Sequence, residues 1–90
     1  MYKTVETRGA FGSALFALRR NNGLSAEAFA KKINVGRNTV WRWENGKSLP
    51  NPEAYNKIYV FFSLKCFDDT SALQDSYAYS LTHPYIKKEN

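Results

Sequence analysis

The chain has 90 residues, the length of one small domain, since two halves would each be too short to bury a core without staples. Its balance of 43% hydrophobic and 23% charged residues suits a globular fold rather than a disordered chain, and the formal net charge is +5. The longest apolar runs, Ala14 to Leu18 and Ile58 to Phe62, fall far short of the ~20 residues of a membrane span, and Glu6 and Arg8 stand where a signal peptide needs its apolar core.

In chain order, residues 1–7 read as a loose end. Phe11, Leu15 and Leu18 then lie at i, i+4 and i+7, which predicts a helix over Ala10 to Asn21, closed by the turn signal Asn21-Asn22-Gly23. Ser25 is placed to cap a second, short helix whose inward stripe is Phe29, Ala30 and Ile33. Asn34 ends it, because asparagine tolerates the left-handed backbone of an abrupt turn. A third helix starts at Gly36 or Arg37 and runs to Asn45, with Val40 and Trp43 on one face and Gly46 as its left-handed stop. Asn51 as cap, Pro52 at the first helical position and Glu53 in the first turn announce a fourth helix, with Tyr55, Ile58, Tyr59 and Phe62 on its apolar face. Leu73, Tyr77 and Leu81 predict a shorter helix from Ser71 to Leu81, stopped by His83-Pro84. Residues 85–90 read as a second loose end, and only Tyr2 to Val5 and Tyr77 to Leu81 leave room for a strand. The organisation expected is one domain over 1–90, with a core about 11–64 and a helical extension about 65–83.

The positive charge is uneven. Residues 1–47 hold nine cations against three carboxylates, whereas residues 48–90 hold four against five. An excess confined to one half favours an acidic partner for that half, most often nucleic acid. Arg37 and Trp41 are four apart, as are Asn38 and Arg42, so these four point away from the Val40–Trp43 face together. Arginine can make two hydrogen bonds to a guanine edge and asparagine two to adenine, while Trp41 could press on a thymine methyl or a sugar, or pack against a neighbour.

The stretch Leu24 to Lys47, ending in Trp43-Glu44-Asn45-Gly46-Lys47, resembles the motif of phage repressor and Cro-type (XRE-like) helix-turn-helix proteins, and the likeness extends over about residues 11–64. The resemblance implies an all-α, compact five-helix bundle with a central helix-turn-helix, whose third helix enters the major groove of double-stranded DNA. Carried over by position, it nominates Arg37, Asn38, Trp41 and Arg42 for base edges, and Arg19, Thr39, Asn45 and Lys47 for phosphates. It also pairs Arg19 with Glu44, turning Arg19 toward a phosphate. Three positions depart from the family's habit: Ala26 replaces its usual glutamine, Gly36 its usual serine or threonine, and Trp41 its usual small or polar residue.

The remaining chemistry is sparse. Cys66 reads as a packing residue in a reducing, cytoplasmic setting, with no base to activate it. Asp68-Asp69 read as loop or cap residues and His83 as a turn residue. No phosphate loop or metal-ligand spacing is present, so no enzyme, cofactor or metal is expected. The aromatic-rich second half exceeds what so small a core can hide, and Phe61, Phe62, Phe67, Tyr77 and Tyr79 become candidates for a homodimer interface. The reading is a DNA-binding transcriptional regulator, a repressor on a palindromic operator. Its alternatives are an antitoxin that also binds a toxin, and an adaptor that has lost DNA binding. A further protein partner such as an antirepressor fits the first reading too.

Overall fold

The structure is a computed structural model that describes residues 5–83, with side chains from Arg8 onward. Five helices follow one another: α1 (Val5–Asn21), α2 (Ala26–Lys32), α3 (Arg37–Glu44), α4 (Pro52–Val60) and α5 (Ser71–Thr82). Among the described residues there is no strand, and none of their helices is long and apolar enough to cross a membrane.

Local chemistry sets most of the boundaries. The Ser25 hydroxyl accepts a hydrogen bond from the Ala28 amide (3.0 Å), and the Asn51 side-chain oxygen accepts one from the Ala54 amide (2.8 Å). Each occupies an N–H that the first helical turn leaves without a partner. The helix ends are as regular as the starts. Gly23, Asn34 and Gly46 have φ of 67°, 58° and 69°, and follow α1, α2 and α3 in that order. After each, the next amide reaches back five residues: Leu24 to the Arg19 carbonyl (3.2 Å), Val35 to Ala30 (2.9 Å) and Lys47 to Arg42 (2.9 Å). This is the closing bond that a left-handed cap makes possible.

Two elements depart from expectation. Residues 5–7, expected as part of a loose end, are helical, but Gly9 (φ 79°, ψ 167°) kinks α1, so that regular helix resumes at Ala10. α4 does not stop at Val60. It widens into a π-helical turn over Phe61–Lys65, in which the Cys66 amide donates to the Phe61 carbonyl (3.0 Å). Phe67 then ends the run in the left-handed region (φ 56°), a conformation that costs a phenylalanine energy. Tyr77 to Leu81, where a strand was conceivable, is helical. Tyr2 to Thr4, Pro84 and residues 85–90 lie outside the described residues.

Phe11 and Leu15 of α1, Phe29 and Ala30 of α2, Val40 and Trp43 of α3, Ile58 of α4 with Phe62 beyond it, and Leu73 and Tyr77 of α5 form one core. Aromatic pairs tie distant helices: Phe29 stacks on Phe62 at 5.3 Å, and Tyr77 lies flat on Tyr55 at 4.0 Å. The Tyr77 hydroxyl is satisfied by the Pro50 carbonyl at 2.7 Å. Phe62 is fully buried and Tyr77 is 8% exposed, so the expectation that they belong to a dimer interface is corrected: both fill the protomer's own core.

Candidate nucleic-acid interface

The turn at Asn34 joins α2 to α3 within four residues. α3 presses Val40, Trp43 and Glu44 into the protein, and these are 0%, 4% and 3% exposed. Its opposite side is open. Arg37, Asn38 and Arg42 are exposed, Trp41 is half exposed and Thr39 half-buried. Lys47, just past the Gly46 cap, is exposed too. The structure therefore brings the four nominated base-reading residues onto one face of one helix, with Lys47 at its far end. Gly36 caps the start of α3 without a side-chain acceptor.

The inward side is held by charge. The Arg19 Nε and Nη2 donate to the two Glu44 carboxylate oxygens at 2.7 and 2.9 Å, the expected pair, and Nη1 donates to the Leu24 carbonyl at 2.9 Å. All three guanidinium nitrogens are thus engaged within the fold and the residue is 9% exposed. These contacts brace the end of α1 against α3. Asn45 is 8% exposed and its side-chain amide donates to the Trp41 carbonyl at 2.8 Å, which seals the end of α3.

Two contributors to this bracing escape sequence reasoning. Arg8 is 8% exposed, donates from Nη1 to the Glu44 backbone carbonyl at 2.8 Å and lies 3.7 Å from the centre of the Phe16 ring. Desolvation by burial lowers its pKa, against the opposing pull of Glu44. Arg8 lies between the loose end expected over 1–7 and the helix expected from Ala10, and no local pattern marks it. Gly12 is the second. A Cβ on it would sit 2.8 Å from the Glu44 carbonyl oxygen and 2.9 Å from that of Trp43, so only glycine lets α1 lie against the end of α3.

Of the remaining interface candidates, Phe61 is half-buried against Phe29 at 5.7 Å, Tyr79 is 55% exposed and stacks on His83, and Phe67 is 86% exposed. Asp68 accepts from the Asn22 side chain (2.8 Å), and Asp69 accepts from the Ser71 amide and hydroxyl (2.9 and 2.7 Å), both in the loop ahead of α5.

A family model described as a helix-turn-helix domain matches residues 10–62. The chain is similar to the HTH-type transcriptional activator BcrR of Enterococcus faecalis, 37% identical over 54 residues, which is 60% of this chain and 26% of that protein. The chain thus aligns with about a quarter of the length of that relative. No solved structure matches it.

Proposed function

The chain belongs to the helix-turn-helix domain family, and from that premise we propose that it is a transcriptional regulator that reads double-stranded DNA with α3 in the major groove. One observation carries the reading: Arg37, Asn38, Trp41 and Arg42 stand together on the open side of α3 while Val40, Trp43 and Glu44 anchor its other side. A helix can read base edges only when it is rigidly held behind and unobstructed in front. Arg37, Asn38 and Arg42 supply the donors and acceptors for base edges, and Trp41 supplies apolar contact. Thr39 and Lys47 flank them for the phosphates, whose contacts fix position and make affinity fall with salt.

The chain acts as a homodimer on a palindromic operator, with half-sites ~34 Å apart. Repression by occupying a promoter is the simplest outcome of such binding. The relative named as an activator supports the opposite sign of control as a second reading. Selection from random duplex DNA, followed by affinity measurement at two salt concentrations, tests the proposal. A selected two-fold motif with steep salt dependence is the expected result. Failure to retain any duplex at low salt would leave the protein as an adaptor instead. A reporter with the selected site in its promoter then decides the sign of control.

A further inference from the structure

All four junctions between consecutive helices contain a left-handed residue. Gly23, Asn34 and Gly46 take that backbone readily, but the fourth is Phe67. Its ring is 86% exposed, the most exposed of the large apolar side chains described. The fold thus keeps a bare phenyl ring on a strained backbone, where a glycine would close the junction without strain and leave no apolar surface in water.

A recess lies close by in the chain, since Cys66, the residue before Phe67, lines it. Two cavities of about 350 and 440 Å³ adjoin along the π-helical turn and share Lys32, Phe61 and Lys65 in their walls. Leu24, Ile33, Val60 and the half-buried Phe61 give this groove its apolar lining, beside Asn22, Asn34 and Asn56, and Lys32, Lys57 and Lys65 make its charge positive. No carboxylate lines either cavity among the described residues. The knob has the opposite charge, since Phe67 is followed at once by Asp68 and Asp69. The contacts described for these carboxylates use one oxygen of each, Oδ2 of Asp68 and Oδ1 of Asp69.

An apolar knob with acidic neighbours and an apolar groove with a basic rim, both on one chain, make a self-complementary surface of the kind a two-fold pair requires. We propose that two copies of this chain associate by seating Phe67 of each protomer in the Phe61 groove of the other, with Asp68 and Asp69 set against Lys32, Lys57 and Lys65. The inference rests on the dimeric part of the proposed function and names its contact. It uses none of the outward residues of α3.

Sedimentation velocity of the whole chain without DNA tests it. The native protein is expected to show a concentration-dependent monomer–dimer equilibrium. Phe67→Gly removes the ring yet adopts the left-handed backbone without strain, so dimerisation should weaken at least about tenfold while the monomer melts no lower than before. Asp69→Lys and Lys65→Glu should each weaken self-association, and their mixture should recover a heterodimer through the restored charge pairs. Circular dichroism confirms that each variant is folded. A native chain that stays monomeric at every concentration overturns the proposal, as does a dimer indifferent to Phe67→Gly or a mixture that fails to pair. DNA binding is read separately: its loss from an intact dimer would sink only the DNA reading, and a monomer that still binds duplex DNA would sink only this one.

Discussion

The Arg19 guanidinium and the Glu44 carboxylate meet side by side, through hydrogen bonds of 2.7 and 2.9 Å, and so lock the end of α1 to the end of α3. Both groups are buried, and each is the other's main counter-charge. Removing Glu44 strands both Arg19 and Arg8 away from water, whereas removing Arg19 leaves Glu44 only the longer 4.0 Å pair with Arg8. Arg19→Ala or Glu44→Ala should therefore cost about 3–5 kcal/mol. The double change Arg19→Met with Glu44→Leu should cost less than the sum of the single changes, although it leaves the buried Arg8, 4.0 Å from Glu44, without its carboxylate. Urea unfolding of the four proteins forms the cycle that checks this.

Gly12 offers a sharper steric test. An added methyl would press on the Trp43 and Glu44 carbonyl oxygens, which are backbone atoms and cannot rotate away. Gly12→Ala should destabilise the protein by about 1–3 kcal/mol, although alanine is the better helix former. A melting temperature equal to or above the native one would show that α1 can back away from α3 at no cost.

The two kinds of DNA contact proposed should separate by mutation. Arg42→Ala should weaken binding to the selected site by ~1–3 kcal/mol and relax preference at one base position. Lys47→Ala should weaken all sequences alike and lower the salt slope by about one. Fluorescence anisotropy on specific and scrambled duplexes, across a salt series, measures both. Equal losses on every sequence from both variants would contradict this division of roles.

Stability should also fall at alkaline pH. Burial raises the phenol pKa of Tyr77, and burial followed by the neighbouring Tyr59 and Tyr77 raises that of Tyr55, both above the ordinary value of 10.0. A raised pKa means the folded state holds its proton longer than the unfolded one. The stability from these neutral phenols is thus fully present below the unfolded value and is lost as pH rises through the folded values. Tyr77→Phe should lower stability near neutrality by about 0.5–1.5 kcal/mol, through the lost bond to the Pro50 carbonyl, and should reduce the alkaline slope. Thermal melts from neutral to strongly alkaline buffer give both quantities.

What the sequence makes legible is what local chemistry decides. Ser25 and Asn51 cap helices, and Asn34 and Gly46 end them, because each effect acts within a few residues. The two faces of α3 could be read for the same reason: four-residue spacing decides which side chains point together. The contacts that hold α3 in place are another matter. Arg8 and Gly12 meet the end of α3 across more than thirty residues of sequence, and neither residue type announces such a partner. The aromatics of the second half show the same limit. Composition marks a surplus but not which rings turn inward: Phe62 and Tyr77 fill the core, while Phe67 and Tyr79 are exposed. The extra residue of the π-helical turn, which shifts everything after Val60 out of α-helical register, leaves no mark in apolar spacing.

The sealed ends of α1, α2 and α3 also bear on how the chain folds. The bonds that close Gly23, Asn34 and Gly46 span only five residues each, so the bends between successive rods can form before any distant segment arrives. Little loop entropy stands between the coil and a correctly angled first half, and such chains fold in microseconds to milliseconds. α5 brings Leu73 and Tyr77 to the core from far along the sequence, so its contacts close the longest loops.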